Sequence, residues 1–256
     1  MRIMLTNDDG FFAPGIKALY KKLASDQKHQ IFIVAPERQR SATGRSITLH
    51  KPLFTTRHAL ENEDIGFSLN GTPTDCVKLA LQGDILPFKP DLLISGINDG
   101  PNLGTDVFYS GTVSAAMEGA LLGVPSLAVS LASNDYDDFI PTANYIKHLI
   151  DSENEIIHYK DGLTNINIPG TPEKDWKGVR ITKLGQSTYD NSFEYRKAPL
   201  GKEYYWITGK LIFEDEEDTD LKVVHEGYIS LTPLHGDLTD YKRIEALKKL
   251  QSDGEI

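Results

Sequence analysis

The sequence predicts an α/β fold with a doubly wound, Rossmann-like parallel sheet, and two observations predict it. First, several short segments are apolar almost throughout, as strands are when helices cover both faces of a sheet; they are residues 3–6, 31–35, 91–95 and 126–131. Second, segments with a helical spacing of apolar residues lie between them. Strands that alternate with helices at this interval form parallel sheets.

The first two predicted helices have clear starts. Pro14 opens the first one, and its apolar side chains recur at i, i+3, i+4 and i+7 between residues 16 and 23, the spacing of one buried face. The second begins at residues 72–75 (TPTD), where a threonine cap precedes a proline at the first helical position and an acid in the first turn. We expect that helix to end near Gln82.

Two further helices complete the predicted core. A helix of small residues is expected over residues 111–122, after a loop rich in glycine and asparagine, and another around residues 145–149. The sequence shows no internal repeat and no low-complexity linker. It therefore predicts a single domain over residues 1–256, whose α/β core spans about residues 1–160.

The pattern changes from about residue 160, where strands are predicted without helices between them. These strands are residues 165–168, 179–182 and 204–207. We expect residues 161–256 to form a β-rich extension and C-terminal arm, with a protruding hairpin and a closing helix over residues 238–250. The aromatic run at residues 204–206 suits either a partner surface or the packing of a β core.

Composition limits the function. The chain has 256 residues with 37 acidic and 27 basic side chains and a net charge of −10, which argues against general affinity for nucleic-acid polymers or anionic membranes. The single cysteine, Cys76, excludes an intramolecular disulfide and is expected to be a small buried residue. The N-terminus is too polar for a signal peptide and no apolar run could span a bilayer, so a cytoplasmic location is expected.

An acidic stretch at residues 214–220 (EDEEDTD) holds six acids in seven residues. It could bind a metal ion or a polyamine. Because like charges repel unless a partner gathers them, we interpret it instead as a solvated loop.

The polar clusters follow the predicted strands. They are residues 7–10 (NDDG), 38–46 (RQRSATGRS) and 95–104 (SGINDGPNLG). In an open parallel sheet the C-termini of the strands lie along one edge, and ligands bind in the crevice there. These three loops are therefore predicted to converge.

Asp8 and Asp9 are the candidate metal ligands of the first loop. In a tight turn ending in Gly10 their carboxylates can converge on one ion. Mg²⁺ and Mn²⁺ favour carboxylate, hydroxyl and amide oxygens, so a serine and an asparagine would complete such a site. A turn that caps the following helix is the alternative interpretation.

Residues 110–114 (SGTVS) open the small-residue helix and form a candidate phosphate site. A helix N-terminus offers free N–H groups and partial positive charge, Ser110 and Thr112 add hydroxyls, and Gly111 lets the backbone approach closely. An ordinary serine cap is the alternative. No histidine lies in these clusters, and neither a dinucleotide fingerprint nor a Gly-x4-Gly-Lys-Ser/Thr loop is present.

Taken together, these loops resemble the SurE family of stationary-phase survival proteins, which have nucleotidase activity. The resemblance covers nearly the whole chain in order. The matching segments are residues 5–10, 13–16, 34–36, 41–48 (SATGRSIT), 71–78 (GTPTDCVK), 95–104 and 109–114 (YSGTVS), with residues 204–206, 226–228 and 232–234 further on.

The resemblance implies a divalent-metal-dependent phosphatase acting on nucleoside 5′-monophosphates, with one Mg²⁺ or Mn²⁺ per subunit. It places the metal on Asp8, Asp9, Ser41 and Asn98, and Ser46 in the same loop is an alternative to Ser41. It also implies phosphate contacts from Asn102 and from residues 110–112. The family is associated with homodimers or homotetramers that exchange C-terminal arms. Activity on 3′-monophosphates and polyphosphate stays open.

Two chemical routes and two rival functions are compatible with these residues. Either a metal-bound water attacks phosphorus with Asp8 or Asp9 accepting its proton, or one aspartate attacks directly. A haloacid-dehalogenase-type phosphatase is disfavoured because that class requires Asp-x-Asp spacing. A non-catalytic nucleotide- or metal-binding regulatory protein is the alternative from another functional class.

Overall fold

The computed structural model describes residues 1–133, 138–190 and 192–255. Its helices are α1 Pro14–Ala24, α2 Pro73–Gln82, α3 Gly111–Leu121, α4 Ile140–Asp151, α5 Asp220–His225 and α6 Tyr241–Ser252. Its strands are β1 Arg2–Thr6, β2 Gln30–Pro36, β3 Thr55–Ala59, β4 Ile65–Leu69, β5 Leu92–Asp99, β6 Ser126–Ala132, β7 Leu163–Pro169, β8 Val179–Ile181, β9 Ser187–Asp190, β10 Phe193–Lys197, β11 Glu203–Ile207, β12 Lys210–Phe213 and β13 Ile229–Leu234.

The main sheet confirms the predicted doubly wound α/β fold. Its strand order is β3-β4-β2-β1-β5-β6-β7-β13-β8, and the pairs from β4 to β7 are parallel. The chain runs outward from β1 through β2 and then returns to β5 on the other side of β1. The sheet therefore has a topological switch point between β1 and β5, where ligands bind in folds of this class.

Helices cover both faces of this sheet, and each face has its own apolar core. On one face, α1 packs beside α4 over side chains that include Ile3, Ile33 and Ile94. On the other, α2 packs beside α3 over side chains that include Met4, Val34 and Leu93. Successive residues of one strand thus face opposite cores, which explains why the strands read as continuous apolar runs.

The helix starts follow the local chemistry of the sequence. Thr72 accepts a hydrogen bond from the backbone N–H of Asp75 while the Asp75 carboxylate accepts one from the Thr72 N–H, so the predicted start of α2 is a full capping box. Pro14 occupies the first turn of α1, as predicted. Cys76 is fully buried on α2, as expected.

Three strands of the expected β-rich extension belong to the main sheet. The strand expected at residues 165–168 is β7, which pairs in parallel with β6, and β13 and β8 extend the same sheet. The predicted hairpin is present as the antiparallel pair β10–β11, next to the ribbon β9–β12. Residues 204–206 lie in that hairpin and are exposed, so β-core packing of the aromatic run is wrong for this chain. The described helices are all too short or too polar to span a lipid bilayer.

The acidic stretch is a solvated loop only in part. Residues 214–218 are exposed, as expected. Asp220 is instead fully buried at the start of α5, where its carboxylate accepts hydrogen bonds from the backbone N–H groups of Gly104, Gly185 and Leu221. Burial raises the pKa of Asp220. The expectation that the whole stretch is solvated was wrong for this residue, because its partners lie far away in sequence.

Candidate functional site

The turn after β1 sets the positions of the two candidate metal ligands. The Asn7 side chain donates to the carbonyl of Gly10 at 2.9 Å and accepts from the Gly10 N–H at 3.1 Å. Gly10 has φ +107°, a left-handed conformation that favours glycine, and a Cβ there would lie 3.1 Å from the backbone of Arg38. This tight turn brings Asp8 and Asp9 to the same edge of the sheet.

Asp8 is held by the first turn of α3. It is 4 % exposed, and its Oδ1 accepts a hydrogen bond from the Thr112 hydroxyl. The backbone N–H groups of Gly111 and Thr112 also favour its charged form, although burial is the larger effect and raises the pKa of Asp8. The N-terminus of α3, predicted as a phosphate site, therefore binds the carboxylate of Asp8.

Asp9 is held by β5 rather than by α3. Its Oδ2 accepts a hydrogen bond from the backbone N–H of Asp99 at 3.1 Å. Burial, together with the neighbouring charge of Asp8, raises the pKa of Asp9 to about 6. Two adjacent carboxylates are thus fixed by elements on opposite sides of the loop that joins β5 to α3.

Ser41 reaches the site through Gln39. The Gln39 side-chain nitrogen lies 3.0 Å from Ser41 Oγ and 3.5 Å from Asp9 Oδ1, so the two oxygens share one donor. A cation bound by both oxygens would have to displace that nitrogen. The backbone of the alternative, Ser46, is held at the start of α2, since its carbonyl accepts a hydrogen bond from the Thr72 hydroxyl at 2.7 Å.

Asn98 completes the predicted set of oxygen donors. Its Oδ1 lies 3.3 Å from the Thr112 hydroxyl, which also bonds Asp8, and its Nδ2 donates to the carbonyl of Gly100 at 2.8 Å. The structure therefore brings the four predicted ligands together in two pairs, Asn98 with Asp8 and Ser41 with Asp9.

This donor set fits a divalent cation. Within the described residues, neither Asp8 nor Asp9 forms an ion pair with a lysine, arginine or histidine, so one buried and one partly buried carboxylate lack a counter-charge. Across the same residues there is no group of three or more histidine, cysteine or acidic side chains arranged to hold a metal. A cation here would therefore be bound by a mixture of carboxylate, hydroxyl and amide oxygens, which suits Mg²⁺ or Mn²⁺.

Of the predicted phosphate contacts, Gly111 and Thr112 lie against Asp8. Ser110 Oγ accepts a hydrogen bond from the Val113 N–H at 3.1 Å, the ordinary cap of α3. A Cβ on Gly111 would lie 2.7 Å from Asp8 Cβ, so only glycine allows α3 to approach so closely. Asn102 is 6 % exposed and its amide nitrogen donates to Ser130 Oγ at 2.8 Å. Their roles toward phosphate stay predictions.

The loop that carries Ser41 is fastened to the helices behind it. Arg45 and Lys78 both contact the buried carboxylate of Glu118 on α3, at 2.9 and 3.2 Å. Thr48 donates its hydroxyl to Asp75 on α2 at 2.6 Å. The loop is therefore anchored at its C-terminal end, while its N-terminal end lies at the site.

Sequence reasoning did not single out several residues of this region. Gln39 and Asp99 lie in two of the polar loops predicted to converge. Nothing in the sequence distinguishes them from their neighbours, and only their contacts with Asp9 do. Asn165 and Asn167 did carry a signal, because they are polar residues in an otherwise apolar strand. Both are fully buried and both contact Asn102.

Comparisons with known proteins identify the family of this chain. The family model described as survival protein SurE matches residues 3–191. A protein named 5′-nucleotidase SurE from Desulfitobacterium hafniense is 57% identical over 249 residues, covering 97% of this chain and 96% of that protein. One of the same name from Pelotomaculum thermopropionicum is 50% identical over 259 residues, covering 100% and 97%.

A solved structure gives the same result for the fold. The crystal structure of the Sure protein from Aquifex aeolicus matches with a TM-score of 0.82 and 38% sequence identity, covering 98% of this chain and 100% of that one. The match includes the C-terminal strands as well as the core. By family model, by relatives of nearly full length and by fold, this chain belongs to the survival protein SurE family.

Proposed function

We propose that this chain is a divalent-metal-dependent 5′-nucleotidase, which hydrolyses nucleoside 5′-monophosphates to nucleoside and phosphate. The relatives that match it over nearly their full length are named 5′-nucleotidase SurE. The observation that carries the proposal is the pair Asp8 and Asp9, adjacent carboxylates at the switch point of the sheet with no cationic side chain paired to them among the described residues. Such a pair suits a cation that in turn binds a phosphate ester.

Asp8, Asp9, Ser41 and Asn98 would hold one Mg²⁺ or Mn²⁺ per subunit. When bound, the cation would supply charge neutralisation at a phosphoryl oxygen and would lower the pKa of a bound water. Asn102 and the Ser110–Thr112 turn would orient the phosphate. Asn102 could turn its amide NH₂ group to the phosphate, because the Ser130 hydroxyl that now accepts from Nδ2 could instead donate to the amide oxygen.

The two carboxylates are suited to different tasks. Asp8 is bound by the Thr112 hydroxyl and the first turn of α3, so its position is fixed. Asp9 is less buried and has the exposed amide of Gln39 as its neighbour. We therefore assign proton acceptance from the attacking water to Asp9 and anchoring to Asp8.

Isotope labelling tests for an aspartyl-phosphate that water cleaves at its carboxyl carbon. A single turnover in ¹⁸O-water, with enzyme in excess, should place the label in phosphate alone if water attacks phosphorus. Label recovered in the carboxylate of Asp8 or Asp9 would establish an acyl-phosphate route instead.

Phosphate release tests the function itself. The panel consists of 5′- and 3′-nucleoside monophosphates, sugar phosphates and polyphosphate, each with EDTA, Mg²⁺ or Mn²⁺. We expect metal-dependent release that favours 5′-nucleotides, and a fall of roughly 100-fold or more in Asp8→Asn and Asp9→Asn. Asp91→Asn is the matched control, because Asp91 is an aspartate before β5 whose carboxylate pairs with Arg2 at the opposite edge of the sheet.

Two outcomes would contradict the proposal. Full turnover in Asp8→Asn, with its metal content verified, would place the chemistry elsewhere. Binding of Mn²⁺ and a nucleotide without release of phosphate from any substrate would support a non-catalytic binding protein.

The proposal includes a cytoplasmic homodimer or homotetramer with exchanged C-terminal arms. Exposed apolar side chains on the β10–β11 hairpin support it, since Trp206 is 58 % and Ile207 82 % exposed. Helix α6 supports it too, because none of its residues is buried within one chain. Light scattering should give a mass of two or four chains, and a single-chain mass at micromolar concentration would exclude the exchange.

A further inference from the structure

The segment that joins β5 to α3 lies against the candidate site, and hydrogen bonds to side chains of the sheet hold it in place. It contains Asn102, a predicted phosphate contact, and leads into the short 3-10 turn Gly104–Phe108. Its backbone forms no strand or helix between Asp99 and Gly104. Backbone groups outside regular structure need other partners when they are buried, so the partners of Asn102 identify what fixes this segment.

Asn167 on β7 binds the backbone of Asn102 at two points. Its Oδ1 accepts from the Asn102 N–H at 2.9 Å, and its Nδ2 donates to the Asn102 carbonyl at 3.0 Å. A side-chain amide thus pairs with both backbone polar groups of one residue, as a residue of a neighbouring antiparallel strand would. Asn165 adds a second donor to the same carbonyl at 2.8 Å.

The side chain of Asn102 is fixed from the same direction. Its amide donates to Ser130 Oγ at 2.8 Å, and Ser130 on β6 is the register partner of Asn167 on β7. The backbone and the side chain of Asn102 are therefore both positioned by residues that project from the sheet beneath it.

These residues belong to a buried polar row that crosses the sheet. Asn167 is in register with Ser230 on β13, and the Ser230 hydroxyl bonds Thr182 at 2.8 Å. Ser130, Asn165, Asn167 and Ser230 are all fully buried. Burying polar groups costs free energy unless they are hydrogen-bonded, and asparagine is a poor strand former. Within the described residues Asn165 Oδ1 has no hydrogen-bond partner, so the bonds to Asn102 account fully for Asn167 and for the amide nitrogen of Asn165.

From this geometry we infer that Asn167, supported by Asn165, is the positioning residue that sets where Asn102 meets the phosphate group of the substrate. The inference rests on the proposed function. Among the described residues, the Asn167 side chain bonds only the backbone of Asn102 and no metal-ligand side chain, so its loss should disturb phosphate binding and leave the cation site intact.

The test compares three variants. Asn167→Ala removes one acceptor and one donor from Asn102, whereas Asn165→Ala removes one donor only. Thr182→Val is the matched control, because Thr182 lies in the same buried row and bonds Ser230 and Thr232 but not Asn102. Each variant is assayed for its melting temperature, its Kd for Mn²⁺, its Ki for inorganic phosphate, and its kcat and KM on a nucleoside 5′-monophosphate.

We expect Asn167→Ala to raise the Ki for phosphate and the KM about 10-fold and to lower kcat/KM by roughly 10- to 100-fold, since misplacement by about 1 Å has effects of that size. Asn165→Ala should show a smaller change of the same kind. The Kd for Mn²⁺ should stay within about 2-fold of the wild type in both, and Thr182→Val should lower the melting temperature without changing kinetics.

Other results would overturn the inference. Kinetics of Asn167→Ala equal to those of Thr182→Val would make Asn167 merely structural, and so would a parallel loss of Mn²⁺ affinity. If Asn167→Ala does not fold, Asn165→Ala and Asn167→Asp, which keeps the acceptor for Asn102, decide the matter in the same assays. Absence of turnover in the wild type would refute the proposed function, and titration with inorganic phosphate would then test the positioning role alone.

Discussion

A methyl group added at Gly111 should lower activity much more than it lowers stability. Gly111 occupies the first position of α3 and faces the carboxylate that α3 binds. A Cβ at this position would lie 2.7 Å from Asp8 Cβ and 2.8 Å from Asp8 Oδ2. Asp8 is 4 % exposed and bound by Thr112, so it has little free space into which to move.

The size of the effect follows from these distances. Non-bonded carbon atoms rest about 3.5–4.0 Å apart, so Gly111→Ala should displace Asp8 by roughly 1 Å. Overpacking a core costs about 1–3 kcal/mol, while replacing glycine by alanine inside a helix contributes about 0.5–1 kcal/mol of stability. We therefore expect a net loss of about 0–2.5 kcal/mol in the free energy of unfolding. A displacement of that size should lower kcat/KM by roughly 100-fold.

A second glycine of the same helix provides the control. A Cβ on Gly119 would lie 2.6 Å from Ser126 Oγ and 2.9 Å from Leu93 Cδ1, so Gly119→Ala also overpacks its surroundings, but away from Asp8. Urea denaturation, Mn²⁺ titration and steady-state nucleotide hydrolysis are measured for both variants. Both should lose stability, and only Gly111→Ala should lose metal affinity and turnover. If kcat/KM of Gly111→Ala stays within about threefold of the wild type, the close approach of α3 to Asp8 is not needed for function.

Three further predictions follow from single contacts. Asp220→Ala leaves three buried N–H groups without an acceptor, so its free energy of unfolding in urea should be lower by about 3 kcal/mol or more. An unchanged denaturation midpoint would contradict the assigned bonds. Thr112→Val removes the hydroxyl that bonds Asp8, so titration should give a Kd for Mn²⁺ about 10-fold higher than in the wild type. Thr112→Ser keeps a hydroxyl and should retain most of the wild-type affinity. Burial lowers the pKa of His29 below 6.5, although the contact with Asp151 opposes this shift. Below pH 6.5 the unfolded chain therefore binds a proton at His29 more readily than the folded chain, so the contribution of neutral His29 to stability is present above pH 6.5 and is lost as the pH falls. His29→Gln should make melting temperature less dependent on pH in that range, and equal pH profiles would contradict the assignment.

The core of the fold was predictable because its elements are specified locally. The capping box of α2 lies within four consecutive residues, and the buried strands are recognisable as apolar runs. The edge pair β3–β4 was not predicted, since β3 is largely exposed and lacks the alternation of a half-buried strand. Strand β7 was predicted as a strand but assigned to the extension, because nothing in residues 163–169 reveals which neighbour it pairs with.

The candidate site was predictable as a location more than as a set of contacts. Loops after β1, β2 and β5 must meet at one edge of a parallel sheet, so the convergence of Asp8, Ser41 and Asn98 follows from topology. Which group binds which depends on residues that are distant in sequence. The hydroxyl that bonds Asp8 is 104 residues away, and the amides that Asp220 accepts from include one 116 residues away. No local pattern encodes such pairs.

The different anchors of Asp8 and Asp9 explain how two adjacent aspartates can have different roles. Asp8 is bound by α3 and Asp9 by the backbone of β5 at Asp99, so the two carboxylates are fixed to opposite ends of the segment that also carries Asn102. The two ends of the segment lie in β5 and α3, so they can hold the carboxylates in place even when the middle, which carries Asn102, moves. Asn167 and Asn165 hold the middle of the segment from the sheet. The cation site thus depends on the two ends of the segment and the proposed phosphate site on its middle, which buried asparagine side chains of β7 hold in place.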